Sequence, residues 1–315
     1  MAGTHRSVLV TGGAGFIGSH LVDRLVAKGY NVRVLDNLST GHLANVRRHL
    51  GRRRFQLIRG DITSPSALRR ALEGVEVVFH EAARSSVPQS IANPLVTNQT
   101  NTTGTLMLLE ASAKRGVDRL IYASSSSVYG EQGRRPIRED SIPKSPLSPY
   151  AVSKVAAEQY CLAFHRLGKL DTVCLRYFNV YGPRQRYSPY SGVMTIFANR
   201  LRKNRAPIIY GDGKQTRDFV SVHDVVEASM LATSSEKAAG EIFNVGTGTR
   251  TTINELARMI IEASRKRSLR PIHTRPRPGD VRHSCADIAK ARRMLRYSPT
   301  VALEDYVKSL VAIPK

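Results

Sequence analysis

Short runs of β-branched and aliphatic residues alternate with segments of helical periodicity through the first 180 residues. "SVLVTG" (7–12), "NVRVLD" (31–36), "FQLIRGD" (55–61), "VEVVFHEAA" (75–83), "RLIYASS" (119–125) and "TVCLRYFN" (172–179) read as buried strands. Amphipathic stretches at 16–28, closed by Gly29, and 98–115, closed by Gly116, read as helices. Strand and helix in alternation predict a parallel sheet with helices on both faces, a doubly wound Rossmann-type α/β fold with a crevice at the carboxyl ends of the strands.

Beyond residue 180 the pattern loosens into Pro-, Gly- and Tyr-rich "YGPRQRYSPYSG" and "RPRPGD" (275–280), with helices expected near 193–203, 252–266 and 300–312. These segments predict a smaller α/β lobe covering the crevice. The expected division is a nucleotide-binding domain over 1–178 plus about 218–246, and a substrate lobe over about 179–217 plus 247–315.

The 315 residues carry 48 Lys and Arg against 25 Asp and Glu, a formal net charge of +23. The basic clusters, such as 52–54, 134–135, 265–267 and 292–293, are scattered, and no zinc-finger spacing or aromatic RNA-binding signature accompanies them. A solvated basic surface is therefore expected in preference to a nucleic-acid site. No stretch approaches the ~20 apolar residues of a membrane span, the start lacks a charged leader, and Cys161, Cys174 and Cys285 lack metal or disulfide spacing. A cytoplasmic enzyme with reduced thiols and no metal is the expectation.

"TGGAGFIG" (11–18) leaves the first strand and opens the first helix. Glycines at 12, 15 and 18 allow a tight turn, let the backbone approach a pyrophosphate and leave the helix N–H groups pointing at that anion. Asp36 closes the second strand where a carboxylate can hold ribose hydroxyls; a 2′-phosphate would meet like charge, which favours NAD over NADP, with Arg33 as the counter-indication. Asp61, ending the third strand, is placed either for the adenine side of the cleft or as a loop cap. In "SPYAVSK" (148–154), Ser148 can cap a helix and Pro149 suits its first turn, so Tyr150 and Lys154 share one face. An ammonium there would lower the pKa of the phenol and make Tyr150 a usable general base. "ASSSSVYG" (123–130) ends the fifth strand and brings its serines to the crevice.

Taken in order, "TGGAGFIG", Asp36, "HEAA" (80–83), "NTTGT" (101–105), the serine run, "YAVSK", "RYFNVYGPRQ" (176–185) and "RDFVSVHD" (217–224) resemble the extended short-chain dehydrogenase/reductase family, and within it the UDP-hexose 4-epimerases. The resemblance covers nearly the whole chain. It implies NAD held by Gly12, Gly15, Phe16, Ile17, Gly18, Asp36, Asn37, Asp61, Ile62, Ala82, Ala83, Asn101, Tyr150, Lys154 and Phe178. It implies catalysis by Tyr150, Lys154 and Ser125, with Ser126 as the runner-up hydroxyl. A UDP-sugar would meet Ser125, Ser126, Asn179, Arg217, Arg277, Asp280 and Ser284, the arginines clamping the diphosphate by paired hydrogen bonds.

The implied cycle removes the 4-hydroxyl proton through Tyr150 as C4 gives hydride to NAD+; the ketose then turns and receives the hydride on its other face. A sugar-nucleotide dehydratase of this family would need an Asp-Glu pair where Ser126 and Ser127 stand, while UDP-glucuronate epimerase or decarboxylase activity stays open. A small residue at 284, where some epimerases carry a bulky aromatic, leans toward UDP-N-acetylglucosamine and its C4 epimer, with UDP-glucose/galactose the other candidate. The resemblance also implies a homodimer pairing through the helices near 98–115 and 150–167. A binding protein that keeps the fold without turnover is the competing class, and loss of Tyr150 or Lys154 would mark it.

Overall fold

The computed structural model describes residues 6–141, 146–186, 192–276 and 281–312. The chain runs β1 (Ser7–Thr11), α1 (Phe16–Ala27), β2 (Asn31–Asp36), β3 (Phe55–Arg59), α2 (Pro65–Ala71), β4 (Val77–His80), α3 (Val87–Ala92), α4 (Pro94–Asn98), α5 (Gly104–Lys114), β5 (Arg119–Ser125), α6 (Pro149–Arg166) and β6 (Asp171–Tyr177). It continues through β7 (Asn179–Tyr181), α7 (Val193–Arg202), β8 (Ile208–Tyr210), β9 (Thr216–Arg217), β10 (Phe219–Ser221), α8 (Val222–Ser234), β11 (Ile242–Val245), β12 (Thr251–Thr252), α9 (Ile253–Ala263), β13 (Ile272–Thr274), α10 (Ala289–Leu295) and α11 (Leu303–Ala312).

Seven strands form one parallel sheet in the order β11-β6-β5-β4-β1-β2-β3. The order reverses direction at β1 and β4, and the crevice of such a sheet opens there. The doubly wound fold predicted from strand and helix alternation is the one observed. Six of its strands coincide with the expected runs; β11 is the seventh, and its "IFNV" is too short to stand out as a period-2 pattern.

One apolar layer packs α1, α8 and α10 on one sheet face, through Leu21, Val22, Val225, Ala228, Ala291 and Leu295. The opposite layer packs α2, α5 and α6 through Leu68, Leu108, Leu109, Ala157 and Cys161. A third cluster, with Tyr181, Met194, Phe197, Ile209, Leu256, Ile260, Val307 and Leu310, joins α7, α9 and α11 away from the sheet. Each of the three helices expected after residue 180 lies within this cluster, and α9 begins with a capping box between Thr252 and Glu255. Among the described residues no helix is long and apolar enough to cross a membrane.

The helix predicted over 98–115 is three pieces: α4, a π-helical turn at Gln99–Thr103, and α5. The widened turn coincides with Asn101, whose side chain reaches out of the helix to neighbouring segments.

The middle of α6 is fastened to the sheet by a buried ion pair. Arg176 donates from Nε to Glu158 Oε1 at 2.9 Å and from Nη2 to Oε2 at 2.8 Å, and Ser124 Oγ bonds the same carboxylate. Glu158 and Arg176 are 1% and 5% exposed, so neither charge has water to fall back on. Glu158→Ala strands a buried guanidinium and is expected to destabilise by about 3–5 kcal/mol, measured by denaturant unfolding; a loss below about 1 kcal/mol would show that the pair is not desolvated as described.

Candidate functional site

Two cavities open side by side at the carboxyl edge of the sheet. One is lined by the glycine turn and the ends of β2, β3 and β4: Gly12, Gly15, Phe16, Ile17, Gly18, Asp36, Asn37, Asp61, Ile62, Ala82 and Ala83 all face it. The other, about 760 Å³, is lined by Ser125, Ser126, Tyr150, Phe178, Asn179, Arg217 and Ser284 together with residues of α3 and α7. Its size suits a small organic ligand.

The turn can adopt its shape only with glycine at two of its positions. Gly12 sits at φ +67°, and a Cβ there would lie 2.7 Å from Ala82 N; at Gly18 a Cβ would lie 2.3 Å from Gly12 O. Gly15 is different, since its Cβ would meet only Gly12 O, at 3.0 Å, and otherwise enter the cleft. α1 starts at Phe16 with no side-chain cap on its N-terminus, so its first N–H groups are free for an anion.

Asp36 is held rigidly: Ala14 N donates to Oδ2 at 2.9 Å and Leu38 N to Oδ1 at 2.8 Å. Burial raises its pKa more than these bonds lower it. Asp61 lines the cleft and also acts as a loop cap, accepting from Thr63 N and Oγ1. Burial pushes its pKa up, but the Thr63 and Asn37 bonds outweigh this and hold it low. Arg33, the residue that could have argued for a 2′-phosphate, turns away and donates to Arg70 O at 3.0 Å. A glycine cradle, a free helix N-terminus and a fixed carboxylate at a strand end are a donor set that fits NAD.

In the second cavity Ser148 caps α6 by accepting from Ala151 N at 3.2 Å, with Pro149 in the first turn. This sets Tyr150 beside Ser125 at the end of β5, both on the cavity wall. Of the four serines, Ser124 turns into the core toward Glu158, while Ser125, Ser126 and Ser127 face the cavity.

One expectation is corrected here. Tyr150's pKa is raised rather than lowered: burial dominates and only Ser125 opposes it. The reason lies in where Lys154 puts its ammonium, which donates to Ala123 O at 2.7 Å over the Tyr122 ring instead of approaching the phenol. Burial brings Lys154 itself down to about 8, against the pull of Glu81 and Glu158.

Three further placements differ from the sequence reading. Asn101 is 1% exposed and faces neither cavity; its side chain accepts from Arg84 N and donates to Arg84 O and Ser153 Oγ, so it braces the cleft wall and α6. Lys154 likewise stands behind the wall, 3% exposed. Phe178 faces the second cavity, not the nucleotide cleft. Arg277 and Asp280 lie outside the described residues.

The sequence reading passed over Ser39, Thr40, Glu81, Arg84 and Thr100 in the cleft, and Tyr177, Tyr210 and Gln215 in the second cavity. Glu81 and Tyr177 stand inside the quoted "HEAA" and "RYFN", beside residues that were singled out. No group of three His, Cys, Asp or Glu among the described residues is arranged to hold a metal. Gly15→Ala is expected to leave the thermal midpoint within a few degrees while weakening NAD binding by about tenfold or more, a loss of ~1.4 kcal/mol; calorimetric titration and the nucleotide content of purified protein check it.

Comparison with known proteins agrees with this geometry. The model of the NAD dependent epimerase/dehydratase family matches residues 8–246. The chain is 41% identical over 305 residues to a UDP-glucose 4-epimerase of Mycolicibacterium smegmatis, covering 96% of each. It is 38% identical over 309 residues to UDP-glucuronic acid decarboxylase 4 of Arabidopsis thaliana, covering 96% of this chain and 67% of that one. Among solved structures it superposes with a TM-score of 0.91 and 37% identity on the UDP-N-acetylglucosamine 4-epimerase of Methanobrevibacter ruminantium M1 in complex with UDP-N-acetylmuramic acid, covering 98% and 97% of the two chains. Fold, nucleotide cleft and sequence thus converge: the chain belongs to the NAD dependent epimerase/dehydratase family, and NAD is its cofactor.

Proposed function

We propose that the protein inverts C4 of a UDP-hexose, with UDP-N-acetylglucosamine and UDP-N-acetylgalactosamine as its preferred pair. The observation that carries this reading is the placement of Tyr150 beside Ser125 on the wall of a roomy cavity adjoining the NAD cleft. Bound NAD supplies the hydride acceptor for C4. Tyr150 takes the 4-hydroxyl proton, directly or through Ser125, and returns it after the ketose has turned. Such turning needs a sugar held loosely and a nucleotide held firmly, so affinity must come from the remote end; Arg217 and Asn179 on the cavity wall suit that end.

Two observations narrow the sugar. Ser284 lies in the cavity wall, 8% exposed, and its small side chain leaves room beside C2 for an N-acetyl group. Among the described residues lining the cavity Arg217 is the sole Lys or Arg. With Arg217 assigned to the diphosphate, the described lining offers a glucuronate carboxylate no further cation, which favours a neutral hexose over the substrate of the decarboxylase relatives.

The homodimer reading, through the helices near 98–115 and 150–167, comes from the family resemblance; Val152 and Tyr160 on α6, and Leu95 (83% exposed) and Val96 on the adjoining α4, expose apolar side chains that support it.

Incubating the protein with a panel of UDP-sugars and separating C4 epimers tests the activity. The acetylated pair should interconvert fastest; Tyr150→Phe should lose about 10²–10⁴-fold in kcat while retaining NAD, and Ser284→Tyr should lose the acetylated sugars selectively. Retained NAD with no conversion of any UDP-hexose would refute the activity, and full activity of Ser284→Tyr on acetylated sugars would refute the preference. Sedimentation should give a dimer, converted to monomer by Val152→Asp; a monomeric parent protein would remove the dimer reading.

A further inference from the structure

Glu81 follows β4 directly and continues its pairing, its N–H donating to Thr11 O at 3.2 Å. Glu81 is among the residues lining the NAD cleft, its Oε1 lies 2.9 Å from Tyr177 Oη, and Tyr177 is among the residues lining the second cavity. The Glu81–Tyr177 contact therefore joins the walls of the two cavities. No step of the proposed reaction uses it.

The contact continues inward. Tyr177 Oη lies 3.1 Å from Ser229 Oγ, and Ser229 Oγ is 3.0 Å from Val225 O, an acceptor only. Three oxygen-to-oxygen contacts thus end on a carbonyl, and the two hydroxyls bring two protons. With Glu81 ionised, Tyr177 donates to Glu81, Ser229 donates to Val225 O, and the Tyr177–Ser229 contact holds no proton. A neutral Glu81 supplies the third proton, and every contact becomes a hydrogen bond in one direction, from Glu81 to Tyr177 to Ser229 to Val225 O.

From this proton count and position we infer that Glu81 is a positioning residue held neutral between the two cavity walls, and that its ionisation would bias bound NAD toward the oxidised form. The groups facing it agree. Tyr177 comes from β6, Ser229 from α8 and Lys154 from α6, while His80 on its own strand points to the opposite face, between Thr11 and Thr105. Burial pushes the Glu81 carboxyl up to about 7, opposed by the Tyr177 bond and by Lys154. Burial likewise brings His80 down to about 3, so it stays uncharged.

The nicotinamide ring is positive when oxidised and neutral when reduced. An ionised carboxylate on the shared wall thus opposes hydride acceptance, and a neutral one does not. The sign for stability runs the same way: a carboxyl titrating near 7 when folded and near 4.5 when unfolded loses stability as pH rises through that window.

The test uses the NAD-loaded protein with 13C-labelled Glu carboxyls. One resonance is expected to titrate close to pH 7 and to vanish in Glu81→Gln. Ser229→Ala should move that titration down by about one pH unit, the size of one net hydrogen bond, because it removes the Tyr177–Ser229 hydrogen bond that forms only when Glu81 is neutral. Glu81→Gln, which keeps a donor toward Tyr177, should raise the thermal midpoint at pH 8 but not at pH 4.5. In turnover, the wild-type kcat should fall by about tenfold relative to Glu81→Gln between pH 6 and 8.5, with KM unchanged. A Glu81 resonance titrating below pH 5, an unmoved titration in Ser229→Ala, or parallel kcat profiles would overturn the inference. It rests on NAD occupying the cleft; the resonance and melting measurements need no sugar, so they stand apart from the choice of substrate.

Discussion

The geometry of the site depends on how α6 is locked to the sheet. Each turn of its inner face carries a buried polar contact: Tyr150 N donates to Ser90 Oγ, Ser153 Oγ accepts from Asn101 and donates to Tyr150 O, Lys154 Nζ donates to Ala123 O, and Glu158 holds Arg176. Sliding or rotating the helix would strand several of these groups in a dry interior, where each unpaired one costs ~1–3 kcal/mol or more. The phenol of Tyr150 is therefore set against Ser125 by the whole length of the helix. Asn101 belongs to this lock, and the π-helical turn that carries it is the local distortion that lets its amide reach Arg84 and Ser153 at once.

The two cavities are built from different materials. The NAD cleft is made of backbone approaching backbone, with Gly12 against Ala82 and Gly18 against Gly12, and of carboxylates pinned by N–H groups. Such a wall has little freedom to adjust. The second cavity is walled largely by side chains from α3, α7 and the third apolar cluster. A rigid cleft beside a roomier cavity suits a tightly held cofactor and a sugar that must present both faces to it. Glu81 and Tyr177 join the two walls, which places any change of charge on Glu81 within reach of both.

Lys154 illustrates how a motif can be read correctly in position and wrongly in effect. Its one-turn spacing from Tyr150 puts both on one helix face, and an ammonium near a phenol lowers the phenol's pKa. The direction of the Nζ atom is set by Ala123 O and the Tyr122 ring, neither of which the local pattern contains. Burial then decides the sign of the shift on Tyr150.

What the sequence by itself determined was local in the chain. Strand runs, the glycine turn, the Ser148 cap and Asp36 at a strand end follow from side-chain period, backbone freedom and capping chemistry within a few residues, and together they specified the doubly wound sheet and the nucleotide cleft. Tertiary structure decided which of the four serines meets Tyr150, that Arg33 turns away from the ribose side, that Asn101 braces instead of lining, that "IFNV" completes the sheet, and that Glu81, Tyr177 and Ser229 form one chain. Each of these turns on a contact between residues far apart in the chain, whose direction and solvent exposure exist only once the layers have packed.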